Sequence, residues 1–251
     1  MNYRLYTHTE RQPDAGIIKP PQPPDVWDAY TLQDTVFLQY WDHIVARYAE
    51  YTFYICNEND TLMLSGTAVP LHYSAPLDSL PDGGWRWVIS QAATNDQPPT
   101  MLCALGIHIE KPYRGHGLTR LALQTIHDLA AQHGFTQLIV PVRPSQKANF
   151  PLIPMRDYIT WQREDGLLYD AWMRAHQHTG ARVLHVAAAS MVVRGTVAQW
   201  VAWTGGEFPG DGQYIVPGGL VPMTVTNGEG VYEEPNVWMV HDVTEQQPAS
   251  R

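Results

Sequence analysis

Cysteine is nearly absent: Cys56 and Cys103 are the only two in 251 residues, and both lie in apolar, strand-like runs. They read as buried small hydrophobes rather than a disulfide or a metal pair, which suits a reducing cytoplasm. Charge is also scarce, at 16% of residues, and 16 Lys and Arg against 25 Asp and Glu leave a formal net charge of -9. That balance argues against nucleic acid or an anionic membrane surface as a partner held by general electrostatics, and it mildly favours a cationic substrate. No apolar run approaches membrane-spanning length, and Met1-Asn2-Tyr3-Arg4-Leu5-Tyr6 has no apolar signal core. Internal repeats, low-complexity blocks and clean linkers are missing too.

Hydrophobic residues, by contrast, make up 44% of the chain, enough at this length to bury a core without staples. The chain reads as one elaborated α/β (α+β) domain over 1–251, with a core at 25–187 and a β-rich insertion with a closing strand at 188–251. Residues 3–7 predict a short first strand, and Pro13, Pro20, Pro21, Pro23 and Pro24 an extended arm. Trp27, Tyr30, Phe37, Tyr40, Trp41, Ile44 and Tyr48 predict a helical region over 25–48, its aromatic face read as core. Two β-rich runs around Asn57-Glu58-Asn59-Asp60 predict a hairpin, and 85–93 a short helix.

The most informative stretch is 101–134. An apolar run over 101–109 meets the turn Tyr113-Arg114-Gly115-His116-Gly117, and Leu118, Leu121, Ala122, Thr125, Ile126, Leu129 and Ala130 then form one helical stripe ending at Gly134. In the run, Cys103, Leu105, Ile107 and Ile109 alternate with Leu102, Ala104, Gly106 and His108, as in a strand buried on most of both faces. Residues 137–142 supply the next strand of a β-α-β unit. Gly115 and Gly117 allow a tight curl that presents N–H groups where the helix begins, so an anionic phosphate is the natural ligand.

Competing motifs fail. A dinucleotide fingerprint needs a small residue where Arg120 stands and an acidic one where Val142-Arg143 stand. No Gly-Lys-Ser/Thr follows the loop, and no Gly-x-Ser-x-Gly elbow occurs. His176 and His178, two apart, fall on different helix faces without a Cys or carboxylate partner, so no metal is expected.

The segment Ile107-His108-Ile109-Glu110-Lys111-Pro112-Tyr113-Arg114-Gly115-His116-Gly117-Leu118-Thr119 resembles the acyl-CoA motif of the general-control-related N-acetyltransferase (GNAT) superfamily: a hydrophobic strand, Arg/Gln-x-x-Gly-x-Gly/Ala, then an amphipathic helix. Thr119 replaces the usual final glycine or alanine. With the hairpin before it and the strand after it in the family's order, the resemblance covers 51–186. It implies a central mixed, mostly antiparallel sheet flanked by helices, with the Pro-rich arm and a C-terminal β-rich elaboration added. It further implies an acyl-CoA-dependent N-acyltransferase, by expectation an acetyltransferase, that takes acetyl-CoA or another acyl-CoA and acylates a small-molecule amine by direct attack.

On that resemblance, the N–H groups of Arg114, Gly115, His116, Gly117, Leu118 and Thr119 hold the CoA pyrophosphate. The strand around Ile107 and Ile109 bonds the pantetheine arm, 138–142 splays away, and a backbone donor near Ile109 stabilises the developing oxyanion. His176 stands where the family often has a tyrosine that protonates the leaving thiolate, its alternative being a core histidine beside Trp172. His108 and Glu110 are the candidates for a base near the strand end, or else rim residues. Residues 143–161 and an insertion over 190–236, ahead of a closing strand at 237–240, are expected to build the acceptor site, with Tyr158, Trp161, Tyr214, Glu233 and Glu234 lining it. The other readings are a GNAT-like protein that binds acyl-CoA or another ligand without transfer, and CoA chemistry other than N-acylation. A homodimer is allowed.

Overall fold

In a computed structural model, residues 2–10 and 27–243 are described, so the Pro-rich arm of Pro13, Pro20, Pro21, Pro23 and Pro24 lies outside the described residues. Strand β1 (Tyr3–Thr7) pairs antiparallel with β2 (Thr52–Asn57), and β2 with β3 (Leu62–Leu71). Between β2 and β3 the Asn57 side chain accepts from the N–H groups of Asn59 and Thr61 at 3.0 and 2.9 Å, while Asp60 sits at φ 60°. A short polar side chain that substitutes for backbone partners makes this turn tight. Strand β4 (Met101–Ile109) continues antiparallel to β3, and β5 (Gln137–Val142) is parallel to β4.

The fold closes with a long hairpin. Strands β6 (Arg182–Thr196) and β9 (Glu229–Asp242) pair along most of their length, and β9 also pairs antiparallel with β5, from Val142 opposite Val237 to Gln137 opposite Asp242. Beside the start of β9 lie β8 (Met223–Thr226) and then β7 (Gly212–Tyr214). The sheet is therefore mixed and mostly antiparallel, as the family resemblance implies. The expected insertion over 190–236 needs correcting, because 190–196 continue β6 and 229–236 lead β9. Only 197–228, carrying α6 (Val197–Thr204), β7 and β8, form the added tip.

Helices cover both faces. Helices α1 (Thr35–Arg47) and α2 (Gly84–Thr94) pack on a core that includes Ile44, Trp85, Val88, Ile89, Met101, Cys103, Leu105 and Trp238. Helix α3 (Leu118–Gln132) covers the other face with α5 (Ala171–His178), above the short α4 (Met155–Tyr158). The buried α3 residues Leu118, Ala122, Ile126, Leu129 and Ala130 are the stripe read from the sequence, and they meet Phe53, Ile55, Leu102 and Ala104. Truncating Ile126 to alanine in such a core costs about 2–5 kcal/mol.

The predicted helix over 25–48 starts only at Thr35. Asp34 stops it from beginning earlier: one carboxylate oxygen accepts from Val36 and Phe37 N–H at 2.9 and 3.2 Å, and Thr31–Gln33 form a separate 3-10 turn. The other oxygen accepts from Val192 N–H of β6 at 2.8 Å and pairs with Arg86 of α2 at 2.9 Å. This fully buried carboxylate thus fixes α1 against α2 and β6 at once, offsetting the cost of its own desolvation.

Two irregularities in β4 position everything that follows. First, Thr67 pairs with Gly106 but Ala68 with Ala104, so Leu105 is an extra residue, a β-bulge. The alternation read from the sequence therefore breaks there: Leu102 and Ala104 share the α3-side core with Ile107 and Ile109, while Gly106 and His108 turn to the α1 side. Second, β4 and β5 pair only at Leu102 opposite Leu138 and Cys103 opposite Ile139. Beyond that point the two strands part, leaving one edge of 104–109 without a strand partner among the described residues.

Candidate functional site

The glycine turn sits at the end of that free edge. Gly115 and Gly117 have φ of 80° and 77°, the left-handed region that side chains disfavour, and a Cβ built on either meets no atom within 4 Å. The turn is thus an open cradle that only glycine lines without strain. Asp34, Asp170 and Thr196 cap α1, α5 and α6, whereas no side chain accepts from the first turn of α3. Its free N–H groups and the positive end of its dipole face the cradle, the arrangement that receives a phosphate. Arg114 Nε donates to the Ile109 carbonyl at 2.9 Å, and Asn57 Nδ2 donates to Tyr113 Oη at 3.2 Å, so the turn is tied to β4 and to the hairpin.

On the opposite, α1-side face, a cavity of about 420 Å³ opens onto the bulged part of β4. Its floor is Leu105, Gly106, Ile107 and His108 with Ser65, Gly66 and Thr67 of β3, and Met191 closes one side. Its walls are aromatic: Trp27, Phe37, Trp41 and Trp85. Phe37, Trp41 and Trp85 pack on one another with centroids 5.4–5.9 Å apart. Asp42 is the one carboxylate lining it, and the lining includes no Lys or Arg.

His108 is the titratable group at the floor. Its Nε2 is 3.3 Å from Glu110 Oε1, and its Nδ1 is buried without a hydrogen-bond partner. Burial lowers the imidazole pKa below its ordinary value; Glu110 pulls it up and Arg114 pushes it down, and the net shift is downward. A neutral imidazole with a free ring nitrogen and a carboxylate behind it is equipped to accept a proton.

His176 is elsewhere. It is buried on α5, with Nδ1 3.0 Å from His241 Nε2 and its ring edge-on to Trp172 at 5.0 Å. His241 is opposite Leu138, at the closed end of the β4–β5 pair rather than the open one. Burial first, and then His241, lower its pKa to about 3, so it stays neutral at physiological pH and is a poor proton donor. The structure brings His108 and Glu110 together with the cradle but leaves His176 in the core.

The residues expected to line an acceptor site lie away from this cavity. Tyr158 is buried with its hydroxyl on Asp170 at 2.9 Å, and Glu234 is buried in a two-pronged pair with Arg143 at 2.7 and 2.9 Å. Neither these two nor Trp161, Tyr214 and Glu233 line the cavity. Phe37 and Trp41, read as core, line it instead. Their four-residue spacing marks a helix face, but nothing in the sequence separates a face that packs from one that leaves a hollow.

No family model matches the chain. It is 29% identical to the arginine N-acetyltransferase avaD of Aspergillus versicolor, over 96% of this chain and 94% of that protein. In fold it is similar to the loading GNATL domain of CurA from Lyngbya majuscula, with a TM-score of 0.56 at 14% identity, covering 97% of this chain and 98% of that one. The chain has a GNAT-like fold. A second solved GNAT fold, the GphF GNAT-like decarboxylase in complex with isobutyryl-CoA, aligns with a TM-score of 0.51 at 15% identity over 80% of this chain and 83% of that one. Against this GNAT frame the parted β4 and β5, the glycine cradle and the helix behind it stand in the order that the motif implied. Among the described residues no group of three or more His, Cys, Asp or Glu is placed to hold a metal, and no helix is long and apolar enough to cross a membrane.

Proposed function

We propose that this protein is a GNAT-superfamily, acyl-CoA-dependent N-acyltransferase acting on a small amine that enters through the aromatic cavity. The observation that carries the reading is the parting of β4 from β5 after Cys103 and Ile139, which leaves an unpaired β4 edge running from the cavity-floor residues Leu105 to His108 toward the glycine cradle. The residues fit the co-substrate: the turn from Arg114 to Thr119 would hold the pyrophosphate, and the free backbone edge at Ile107 and Ile109 would bond the pantetheine arm. The acyl-CoA supplies an activated thioester. The chain's own residues do the rest. The β4 edge holds the acyl carbon beside the amine, the cavity walls exclude water, and His108 accepts the proton that the amine loses, with Glu110 steadying the imidazolium. The relative named as an arginine N-acetyltransferase supports an amine-bearing acceptor.

Two measurements test this. Gly115→Val and Gly117→Val should abolish acetyl-CoA binding by calorimetry while the fold persists; tight binding surviving both changes removes the cradle from the reading. Free-thiol release from acetyl-CoA across a panel of amines should report transfer. Binding without thiol release on any amine replaces the reading with a GNAT-fold acyl-CoA-binding protein.

A further inference from the structure

The cavity is asymmetric in charge. Its inner end is the floor, where His108 is mostly buried, and its rim holds the exposed Asp42 on the α1 face shared with Phe37 and Trp41. The Asp42 carboxylate has neither a hydrogen-bond nor an ion-pair partner among the described residues. Next to it in the chain, Trp41 also lines the cavity, its ring 5.9 Å from that of Trp85 at an interplanar angle of 28°. A lone carboxylate next to flat aromatic faces, with no cation in the lining, attracts a planar cation: a guanidinium stacks on the rings and offers paired N–H donors to one carboxylate.

Resting on the acyltransferase reading above, we propose that the Asp42–Trp41 rim is a guanidinium subsite, and that the acceptor carries a guanidinium there and a primary amine at the His108 floor. The two groups then have separate tasks. The guanidinium stays protonated, so it holds no lone pair for attack and serves as an anchor. The primary amine gives up one proton and forms the amide C–N bond as the thioester C–S bond breaks and the thiolate leaves as free thiol. The acyl group therefore ends on the amine and not on the guanidino nitrogen. The net charge of -9 on the chain adds a long-range bias toward such a cation.

The test compares agmatine with its ureido isostere, N-carbamoylputrescine, which keeps the primary amine and nearly the same shape but is neutral at the far end. Wild-type protein should prefer agmatine in kcat/KM by about tenfold or more, and Asp42→Asn should shrink that ratio by about tenfold, with the change in KM rather than kcat. Product NMR should place the acyl group on the primary amine. Equal kcat/KM for the two acceptors, an unchanged ratio in Asp42→Asn, or acylation of the guanidino nitrogen each overturns the subsite and leaves the acyltransferase reading standing. Acetyl-CoA binding with no thiol released on either acceptor, or on any amine of the wider panel, sinks both.

Discussion

The Trp85 indole N–H donates to the Leu105 carbonyl at 3.0 Å, joining α2 to the bulge in β4. Trp85 is held at its other end as well: its backbone N–H donates to Ser190 Oγ at 2.8 Å, and the Ser190 hydroxyl donates to Asn236 Oδ1. The bulge turns His108 toward the cavity, so Trp85 is both a wall of the cavity and the prop of its floor. Gly84 is glycine for the same reason: with φ at 45°, a Cβ there would collide with Ser190.

Trp85→Phe keeps a ring in the wall but leaves the buried Leu105 carbonyl without its donor. Stability should fall by about 1–3 kcal/mol, read from urea unfolding. Turnover should fall by roughly tenfold or more, since small misplacements at a reacting centre are costly, while acetyl-CoA affinity holds. Wild-type kcat in this variant would remove Trp85 from the positioning of the floor.

If His108 accepts the amine proton, its neutral form is the active one, and activity appears as pH rises through its pKa. That limb should lie below the ordinary imidazole value of 6.5, because burial outweighs Glu110. His108→Gln should lower kcat by about 100-fold or more and erase the limb. Glu110→Gln should move the limb further toward acid, since Glu110 raises the His108 pKa. A limb that stays in place in both variants would show that His108 is not the group that titrates.

The His176–His241 pair should make the protein acid-labile. Burial lowers the two folded-state pKa values to about 3 and about 4, below the ordinary 6.5 of an unfolded histidine. Both states are neutral above 6.5, so the stability is whole there. As pH falls below 6.5 the unfolded chain takes up protons first, and stability is lost at up to about 1.4 kcal/mol per pH unit for each group, until the folded pair titrates. Urea unfolding from pH 7 to pH 4.5 measures the slope. His176→Gln should be less stable at pH 7 but flatter, and a slope equal to that of the wild type would show that other groups carry the acid sensitivity.

Arg143 at the end of β5 and Glu234 on β9 are joined by two hydrogen bonds, and Glu234 also accepts from the Tyr232 hydroxyl at 2.6 Å. Glu234→Gln leaves Arg143 without a counter-charge in a largely buried site and should cost about 3 kcal/mol. Replacing both partners, as Arg143→Met with Glu234→Met, should cost less than the single change. Thermal unfolding of the set decides it, and a double variant worse than the single would mean that Arg143 bonding to the Gly218 carbonyl matters more than the pair.

Much of the proposed cofactor end was legible in the sequence because it is local. Gly115 and Gly117, the preceding apolar run and the α3 stripe are consecutive, and each follows from backbone freedom or a single periodicity. The succession of β2, β3, β4, α3 and β5 along the chain could be read for the same reason, whereas the pairing of the closing strand with β5 could not. The aromatic cavity was not legible, because it depends on contacts between residues far apart in the chain. The Leu105 bulge is a register mismatch between β3 and β4, and an alternation pattern carries no mark of one extra residue. Whether Phe37 and Trp41 fill a core or wall a cavity depends on where Asp34 pins α1 against α2 and β6, and His176 was placed by its match to the family's tyrosine position but is buried against His241 of β9. By itself the sequence determined the strand–turn–helix frame and the open glycine turn, both encoded by short-range backbone and periodic preferences; only the tertiary structure decided which face His108 looks toward and what surrounds it, since strand register and helix docking are settled by packing across the whole sheet.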